Sequence, residues 1–106
     1  MDNIKILIAD DEARIREIIR EYISLEKFDA DEASDGAEAL ELFRRGEYSL
    51  VILDIMMPRM DGWSVCREIR KTSDVPVIML TARGEEYDKL FAFELGVDDY
   101  IVKPFS

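Results

Sequence analysis

The sequence predicts an α/β fold built on one doubly wound, five-stranded parallel sheet with the strand order 2-1-3-4-5. Two observations carry this prediction. Five short apolar runs alternate with segments of helical periodicity along the 106 residues, and no internal repeat or linker interrupts the alternation. The length suits a single domain with one core. Strands separated by helices are expected to run parallel and to connect by right-handed crossovers.

The predicted strands are short apolar runs bounded by turn residues, which is typical of strands covered on both faces. We expect them at Ile4–Ala9, about Phe28–Ala33, Leu50–Leu53, Val75–Leu80 and Tyr100–Val102. Pro76 lies near the start of the fourth run, where its missing N–H group is tolerated.

The first two predicted helices follow the first two strands. Apolar residues recur at i, i+3, i+4, i+7 and i+8 along one face of the first helix. These are Ile15, Ile18, Ile19, Tyr22 and Ile23. Asp35 and Glu38 resemble a capping box that opens the second helix, with Ala39, Leu40 and Phe43 facing inward.

Two further helices are expected after the third and fourth strands. The third spans about Gly62 to Lys71 and carries Val65, Cys66 and Ile69 on its apolar face. The fourth spans about Glu85–Leu95 and ends at Gly96, a suitable left-handed C-cap residue.

Composition excludes several classes of function. The net charge of −10 argues against nucleic-acid binding by this segment. The sequence has no histidine and one cysteine, Cys66, so zinc sites, internal disulfides and Ser-His or Cys-His catalysis are excluded. No apolar run approaches the ~18 residues of a membrane span, and the start MDNIKI lacks a signal-peptide pattern. A cytoplasmic domain is therefore expected.

Unusual polar residues follow the predicted strands at their carboxyl ends. They are Asp10, Asp11, Asp54, Thr81 and Lys103. Ligands of doubly wound sheets bind at this edge, near the switch point between strands 1 and 3. We therefore expect these five side chains to form one site.

The expected site has the chemistry of phosphoryl transfer. Three converging carboxylates repel one another and need a cation. Ligand sets made only of oxygen favour Mg²⁺, with Mn²⁺ as the alternative ion. An aspartate beside such an ion can attack a phosphoryl group and form an aspartyl phosphate. Lys103 would supply positive charge and Thr81 a hydroxyl donor for the transferred oxygens.

Four motifs carry a resemblance to a known family. They are ADDE (9–12), LDIMMPRMDG (53–62), MLTA (79–82) and DDYIVKPF (98–105). Together they resemble the receiver domain of two-component response regulators, in the CheY-like superfamily with its flavodoxin-like fold. The match covers the whole chain in order and spacing, and the ending DDYIVKPF is most similar to the OmpR/PhoB subfamily.

The resemblance implies a phosphoacceptor and a metal site. Asp54 would be phosphorylated from a phosphohistidine of a sensor histidine kinase or from a small phosphodonor. Mg²⁺ would be held by the side chains of Asp11 and Asp54 and by the backbone carbonyl of Met56. Asp10 would act mainly through a bound water.

The resemblance also implies a switch. Thr81 and Lys103 would each bind a phosphoryl oxygen, and Tyr100 would turn inward as Thr81 moves. Met56 and Arg83 hold positions that tune the hydrolysis of the phosphate. The domain would catalyse only its own phosphorylation and slow dephosphorylation, so it is not expected to be an enzyme in the usual sense.

The implied partners lie outside the segment. They are the sensor kinase and a C-terminal output domain of the parent protein, expected to bind DNA. Family domains continue into a fifth helix, whereas this sequence stops at Ser106, so residues 1–106 are expected to form a receiver domain that lacks this helix. Whether the domain forms homodimers stays open, and the Lys103–Pro104 bond is expected to be cis by resemblance.

Three other functions compete with this one. A phosphohydrolase of the haloacid-dehalogenase type would need a second acid two residues after the nucleophile, where this chain has Met56. A flavin carrier would need a Ser-, Thr- or Gly-rich loop in place of ADDEAR. A phosphate-independent interaction module would usually lack some of the acids that are all present here.

Overall fold

The computed structural model describes residues 3–82, 92 and 94–103. All five strands are parallel, in the predicted order β2-β1-β3-β4-β5. The strands are β1 (Lys5–Ala9), β2 (Asp29–Ala33), β3 (Leu50–Asp54), β4 (Val77–Ala82) and β5 (Asp99–Lys103). The helices are α1 (Ala13–Leu25), α2 (Gly36–Arg45) and α3 (Gly62–Arg70). None of the described helices is long and apolar enough to cross a membrane.

The bounds of β4 differ from the prediction by two residues at each end. Pro76 has no N–H group, so the ladder with β3 begins one residue later, with Val77 opposite Val51. At the other end the strand continues to Ala82, which lies opposite Lys103 of β5. Thr81 is therefore a residue of the strand and not of the loop that follows it.

The central strands are covered on both faces, as their apolar runs predict. One face packs on α2 and α3, and its fully buried members include Leu7, Val51, Leu53, Val65, Cys66, Ile69, Val77 and Met79. The other face packs on α1 through Ile6, Ile8, Ile19, Ile23, Ile52 and Leu80. Two apolar layers thus fix β1 and β3 in the middle of the molecule, where their carboxyl ends define the site.

The apolar face of α1 is narrower than predicted. Ile19 and Ile23 are buried and Ile15 packs beside them, so the row with i, i+4 spacing faces the sheet. Tyr22 is 52% exposed, and its predicted place in the core is wrong. It lies in the neighbouring row with Leu25, which is rotated away from the strands that α1 covers.

Side-chain caps begin the two helices that follow β2 and β3. Asp35 accepts a hydrogen bond from the Glu38 amide at 2.8 Å, and Asp61 accepts one from the Ser64 amide at 2.7 Å. The predicted capping box is only half right, because the Glu38 carboxylate accepts from the Ser34 amide, one residue before the cap. Each cap of this type contributes about 1 kcal/mol.

The predicted fourth helix, Glu85–Leu95, lies mostly outside the described residues. Its end is described, and residues 92, 94 and 95 are helical. Gly96 has a φ of +85°, and the Val97 amide donates to the Ala92 carbonyl at 3.0 Å. This is the bond of a Schellman motif, so the prediction of Gly96 as the C-cap residue is confirmed.

Candidate functional site

The site lies at the edge of the sheet where the strands end. β1 ends at Ala9, β3 at Asp54, β4 at Ala82 and β5 at Lys103. The register places Ala9 opposite Leu53 and Ala82 opposite Lys103. The polar residues at these ends are therefore neighbours in space although they are distant in sequence.

Lys103 joins three of the carboxylates. Its Nζ lies 2.8 Å from Oδ2 of Asp10, 3.4 Å from Oδ2 of Asp54 and 3.7 Å from Oε1 of Glu12. Burial alone would lower the pKa of Lys103, but its contact with Asp10 and the charges of Asp54 and Glu12 outweigh this effect and raise the pKa. The ammonium group is therefore a fixed positive charge between β1 and β3.

Asp10 is held by hydrogen bonds to its amide and to one of its two carboxylate oxygens. Its amide donates to the Ala33 carbonyl at 3.1 Å, and its Oδ1 accepts from the Glu12 amide at 2.9 Å. Its side chain is fully buried. Oδ2 meets Lys103 at ion-pair distance but accepts no hydrogen bond of good geometry from the described residues. This oxygen therefore retains a lone pair for a water or an ion.

Asp54 is the last residue of β3 and is 5% exposed. Burial and the negative charges of Asp10 and Asp11 raise its pKa to about 6, against the opposing effect of Lys103. Lys103 is its single ion-pair partner among the described residues. The ion pair with Lys103 thus does not offset the cost of burying this carboxylate, and a further positive charge would stabilise its ionised form.

Three consecutive carboxylates cluster directly before α1, and Lys103 pairs with the first and the third of them. The oxygens of Asp10, Asp11 and Glu12 lie within 4.8 Å of one another, and the side chains of Asp11 and Glu12 are exposed. An all-oxygen donor set with a buried oxygen that accepts no hydrogen bond from the described residues fits a hard divalent cation. Glu12 was missed as a site residue by the sequence prediction, and the only sequence signal for it is its place at the end of ADDE.

Thr81 is fully buried near the end of β4. It follows Leu80, which lies opposite Asp54, so it is one residue nearer to the site edge. Its hydroxyl lies 3.5 Å from the Ala82 carbonyl oxygen, the limit of a hydrogen bond. The hydroxyl is thus placed at the carboxyl end of β4, next to the site.

The remaining predicted residues lie at the margin of the site or outside the described structure. Tyr100 of β5 lies opposite Met79 and is 37% exposed. The side chain of Met56 is 63% exposed, in the loop directly after β3. Arg83, predicted to tune hydrolysis, and Pro104, predicted to follow a cis bond, lie outside the described residues.

The loop after β3 is closed against the strand by a glycine. The Gly62 amide donates to the Ile55 carbonyl at 2.8 Å. A Cβ atom at Gly62 would lie 2.3 Å from the carbonyl oxygen of Asp54, closer than any side chain allows. Gly62 therefore permits α3 to start directly against the backbone of Asp54.

Comparison with known proteins identifies the family. The family model described as "Response regulator receiver domain" matches residues 6–106. The chain belongs to this family. Receiver domains are signalling switches of two-component systems and not classical enzymes, which accords with the expectation from the motifs.

Relatives of the receiver domain are named as transcriptional regulators. One is "Probable transcriptional regulator ycf27" of Porphyridium aerugineum, 54% identical over all of this chain and 44% of the relative. Another is "Transcriptional regulatory protein ResD" of Bacillus subtilis, 53% identical over 96% of this chain and 42% of the relative. The chain spans less than half of their length. These names confirm the resemblance to OmpR/PhoB-type regulators.

Solved structures confirm the CheY-like fold of the receiver domain. The response regulator TrrA of Thermotoga maritima, solved in complex with Mg²⁺-BeF, is 43% identical with a TM-score of 0.86, covering 96% of this chain and 88% of that one. A Francisella response regulator receiver domain is 38% identical with a TM-score of 0.87, covering 98% and 87%.

Proposed function

We propose that this receiver domain is a phosphorylation-activated switch in which Asp54 accepts a phosphoryl group from a sensor histidine kinase or a small phosphodonor. The proposal rests on the burial of Asp54 and on its contact with Lys103. Asp54 is a nearly buried carboxylate at a strand end, 3.4 Å from a lysine that it shares with Asp10. Such a group gains stability from any additional cation or donor brought to it.

The contacts favour Asp54 over Asp10 as the nucleophile. Asp10 is fully buried, its Oδ1 accepts a hydrogen bond, and its Oδ2 lies 2.8 Å from Lys103. Asp54 keeps some exposure, and among the described residues only Lys103 pairs with it, at a longer distance. An attacking oxygen needs both access and a free lone pair, and Asp54 has more of each.

The reaction is a phosphoryl transfer between two oxygens or from nitrogen to oxygen. A carboxylate oxygen of Asp54 attacks phosphorus, and the bond between phosphorus and the donor breaks. The donor leaves with the bonding electron pair, and Asp54 becomes an acyl phosphate. The Lys103 ammonium would pair with one peripheral oxygen, and the Thr81 hydroxyl would donate to another.

The donor set would hold Mg²⁺ or Mn²⁺. We assign the ion to the side chains of Asp11 and Asp54, the Met56 carbonyl and a water on Asp10. When bound, the ion would neutralise the clustered carboxylates and the incoming phosphoryl group. Oδ2 of Asp10, which accepts no hydrogen bond from the described residues, and the cluster of Asp10, Asp11 and Glu12 support a cation at this edge of the sheet. The negative charges of Asp10 and Asp11, which help to raise the pKa of Asp54, support the inclusion of Asp54.

Phosphorylation would change the charge of the site and so shift the balance between two conformations of the domain. A phosphoryl group adds roughly two negative charges and new acceptors. Thr81 would move toward it, and Tyr100, now 37% exposed, would turn inward and change the surface around β5. Met56 and Arg83 would tune how fast the acyl phosphate hydrolyses. The change would be read by a DNA-binding output domain of a longer parent protein, in the cytoplasm.

The proposal is tested by intact mass spectrometry after incubation with acetyl phosphate and Mg²⁺. We expect a mass increase of one phosphoryl group in the wild type and none in Asp54→Ala. Asp74→Asn is the matched control, because Asp74 is an exposed aspartate in the loop before β4, at the opposite edge of the sheet. It should be phosphorylated like the wild type. An equal adduct in Asp54→Ala, or no adduct in any of the three proteins, would overturn the proposal, and multiple turnover of a phosphate ester would indicate a hydrolase instead.

A further inference from the structure

Arg16, at the end of the first turn of α1, links the helix to the acidic turn of the site. Its Nη1 donates to the carbonyl oxygen of Asp10 at 2.7 Å, and its Nε pairs with Oε1 of Glu32 at 3.1 Å. The side chain is 17% exposed. A charged donor at this distance makes one of the stronger hydrogen bonds in the structure.

The carbonyl that Arg16 binds belongs to the peptide between Asp10 and Asp11. Fixing the oxygen of a planar peptide also fixes the direction of its N–H group and of the next Cα atom. The neighbouring groups are fixed as well, because the Asp10 amide donates to Ala33 and the Arg16 amide donates to the Glu12 carbonyl at 3.2 Å. Among these contacts, the bond from the Arg16 guanidinium is the one that holds the carbonyl of the Asp10–Asp11 peptide itself.

We propose that Arg16 is a positioning residue for the divalent-cation site, and that it sets the direction of the Asp11 carboxylate by holding the Asp10–Asp11 peptide. This inference rests on the proposed function, because it assumes that Asp11 binds the ion. Arg16 itself carries positive charge, so it contributes to cation binding through geometry and against electrostatics.

Arg20 offers a matched contrast one helical turn later. It pairs with the other oxygen of Glu32 at 3.0 Å and donates to the Ala30 carbonyl at 3.1 Å. Its contacts among the described residues thus end on β2 and do not reach the acidic turn. Arg16 and Arg20 have the same charge and share one carboxylate partner, but only Arg16 touches the backbone of the site.

The experiment compares Mg²⁺ affinity by isothermal titration calorimetry in the 106-residue chain. We expect Arg16→Met to weaken Mg²⁺ binding about tenfold, the size of effect seen when a group that orients a ligand is removed. Arg20→Met should leave the affinity unchanged or slightly tighter, because loss of a nearby positive charge alone favours a cation. Arg16→Lys keeps one donor and should recover most of the affinity.

A second variant changes the environment of Arg16 without replacing Arg16 itself. Glu32→Gln leaves the acidic turn untouched but removes the carboxylate that orients Arg16. Because the loss of a nearby negative charge weakens cation binding by itself, this variant is judged by the Asp11 and Glu12 amide chemical shifts, which should move as in Arg16→Met but less. Amide chemical shifts of Asp11 and Glu12 without Mg²⁺ should move in Arg16→Met and stay in Arg20→Met.

The outcomes separate this inference from the proposed function. Equal Mg²⁺ affinity in Arg16→Met and the wild type would overturn the positioning role and leave the phosphoacceptor proposal standing. A wild-type chain that binds no Mg²⁺ would overturn both. Equal weakening in Arg16→Met and Arg20→Met would assign the effect to the shared contacts with Glu32, and the positioning role would again be wrong.

Discussion

Lys103 lies 3.4 Å from Asp54 although the strands that carry them are not neighbours in the sheet. β4 runs between β3 and β5, so the long lysine side chain crosses one strand end to reach the carboxylate. It also lies 2.8 Å from Asp10 and is 12% exposed. One nearly buried cation therefore compensates two buried carboxylates, which makes the site sensitive to its removal.

Replacing Lys103 by methionine should destabilise the domain in the absence of Mg²⁺. Asp10 would be left fully buried without a cation, which costs about 3–5 kcal/mol. Urea unfolding in EDTA measures this loss, and added Mg²⁺ should recover part of it. Lys71→Met is the control, because Lys71 pairs with Glu68 at the surface and should contribute less than about 0.5 kcal/mol. Equal losses in the two variants would contradict the structural role of Lys103.

Asp54→Asn should stabilise the metal-free domain at neutral pH. The pKa of Asp54 is raised from 3.8 to about 6 in the folded state, mainly by burial, so folding favours the protonated carboxyl. The stabilisation that comes from this raised pKa is fully present below pH 4, and it is lost as the pH rises through 6 and the buried carboxyl group ionises. The asparagine variant escapes this loss, which corresponds to about 1–3 kcal/mol at pH 7.5.

Urea unfolding of the wild type and Asp54→Asn in EDTA tests this pH dependence. The difference between them should be small at pH 4 and should grow up to pH 7.5. A difference that does not change with pH would show that the carboxyl group titrates normally.

Asp11→Asn should weaken Mg²⁺ binding more than Asp10→Asn does. Asp11 is exposed and assigned as a direct ligand, whereas Asp10 is buried, paired with Lys103 and assigned to a bound water. We expect losses of about 100-fold and about tenfold, measured by isothermal titration calorimetry at constant pH. Equal losses would show that the two ligand roles are wrongly assigned.

Much of the fold was predictable because the apolar runs and the turn residues agree with one another. The order of the sheet follows from five alternating units, and the carboxyl ends of parallel strands must share an edge. That rule alone brings Asp54 and Lys103 to one place. Their chemistry then follows from residue type, since a strand-end carboxylate and lysine are uncommon next to a fully apolar core.

The features that were missed depend on side-chain direction. Periodicity could not show that Tyr22 falls in the outer row of α1, because that depends on how the helix is rotated against β1. Glu12 resembles an ordinary acid at the start of a helix, and only the fold brings its carboxylate to within 3.7 Å of Lys103. The contact of Arg16 with the Asp10 carbonyl involves a backbone atom, which leaves no trace in the sequence pattern.

Gly62→Ala should be destabilising although alanine favours helices. In an exposed helix the exchange would contribute about 1 kcal/mol of stability. Here the new Cβ would lie 2.3 Å from the Asp54 carbonyl, so β3 and α3 must separate, at a cost of about 2–4 kcal/mol. Acetyl-phosphate labelling should fall with it. Gly46→Ala is the comparison, because the nearest atoms to its Cβ would be side-chain atoms of Tyr48, the closest at 2.9 Å, and not backbone atoms, so it should cost less than Gly62→Ala.

Arg70→Ala should reduce stability without changing Mg²⁺ affinity. The Arg70 guanidinium donates to the Gly96 carbonyl at 2.6 and 3.0 Å, to the Val75 carbonyl at 2.7 Å and to Asp98 at 3.1 Å. These charged bonds tie α3 to the amino ends of β4 and β5, so their loss should cost about 2–3 kcal/mol in urea unfolding. Arg67→Ala, exposed on the same helix, should cost less than about 0.5 kcal/mol. Because Arg70 acts at the edge opposite the acidic site, a weakened Mg²⁺ affinity in Arg70→Ala would show that the two edges of the sheet are coupled, contrary to this expectation.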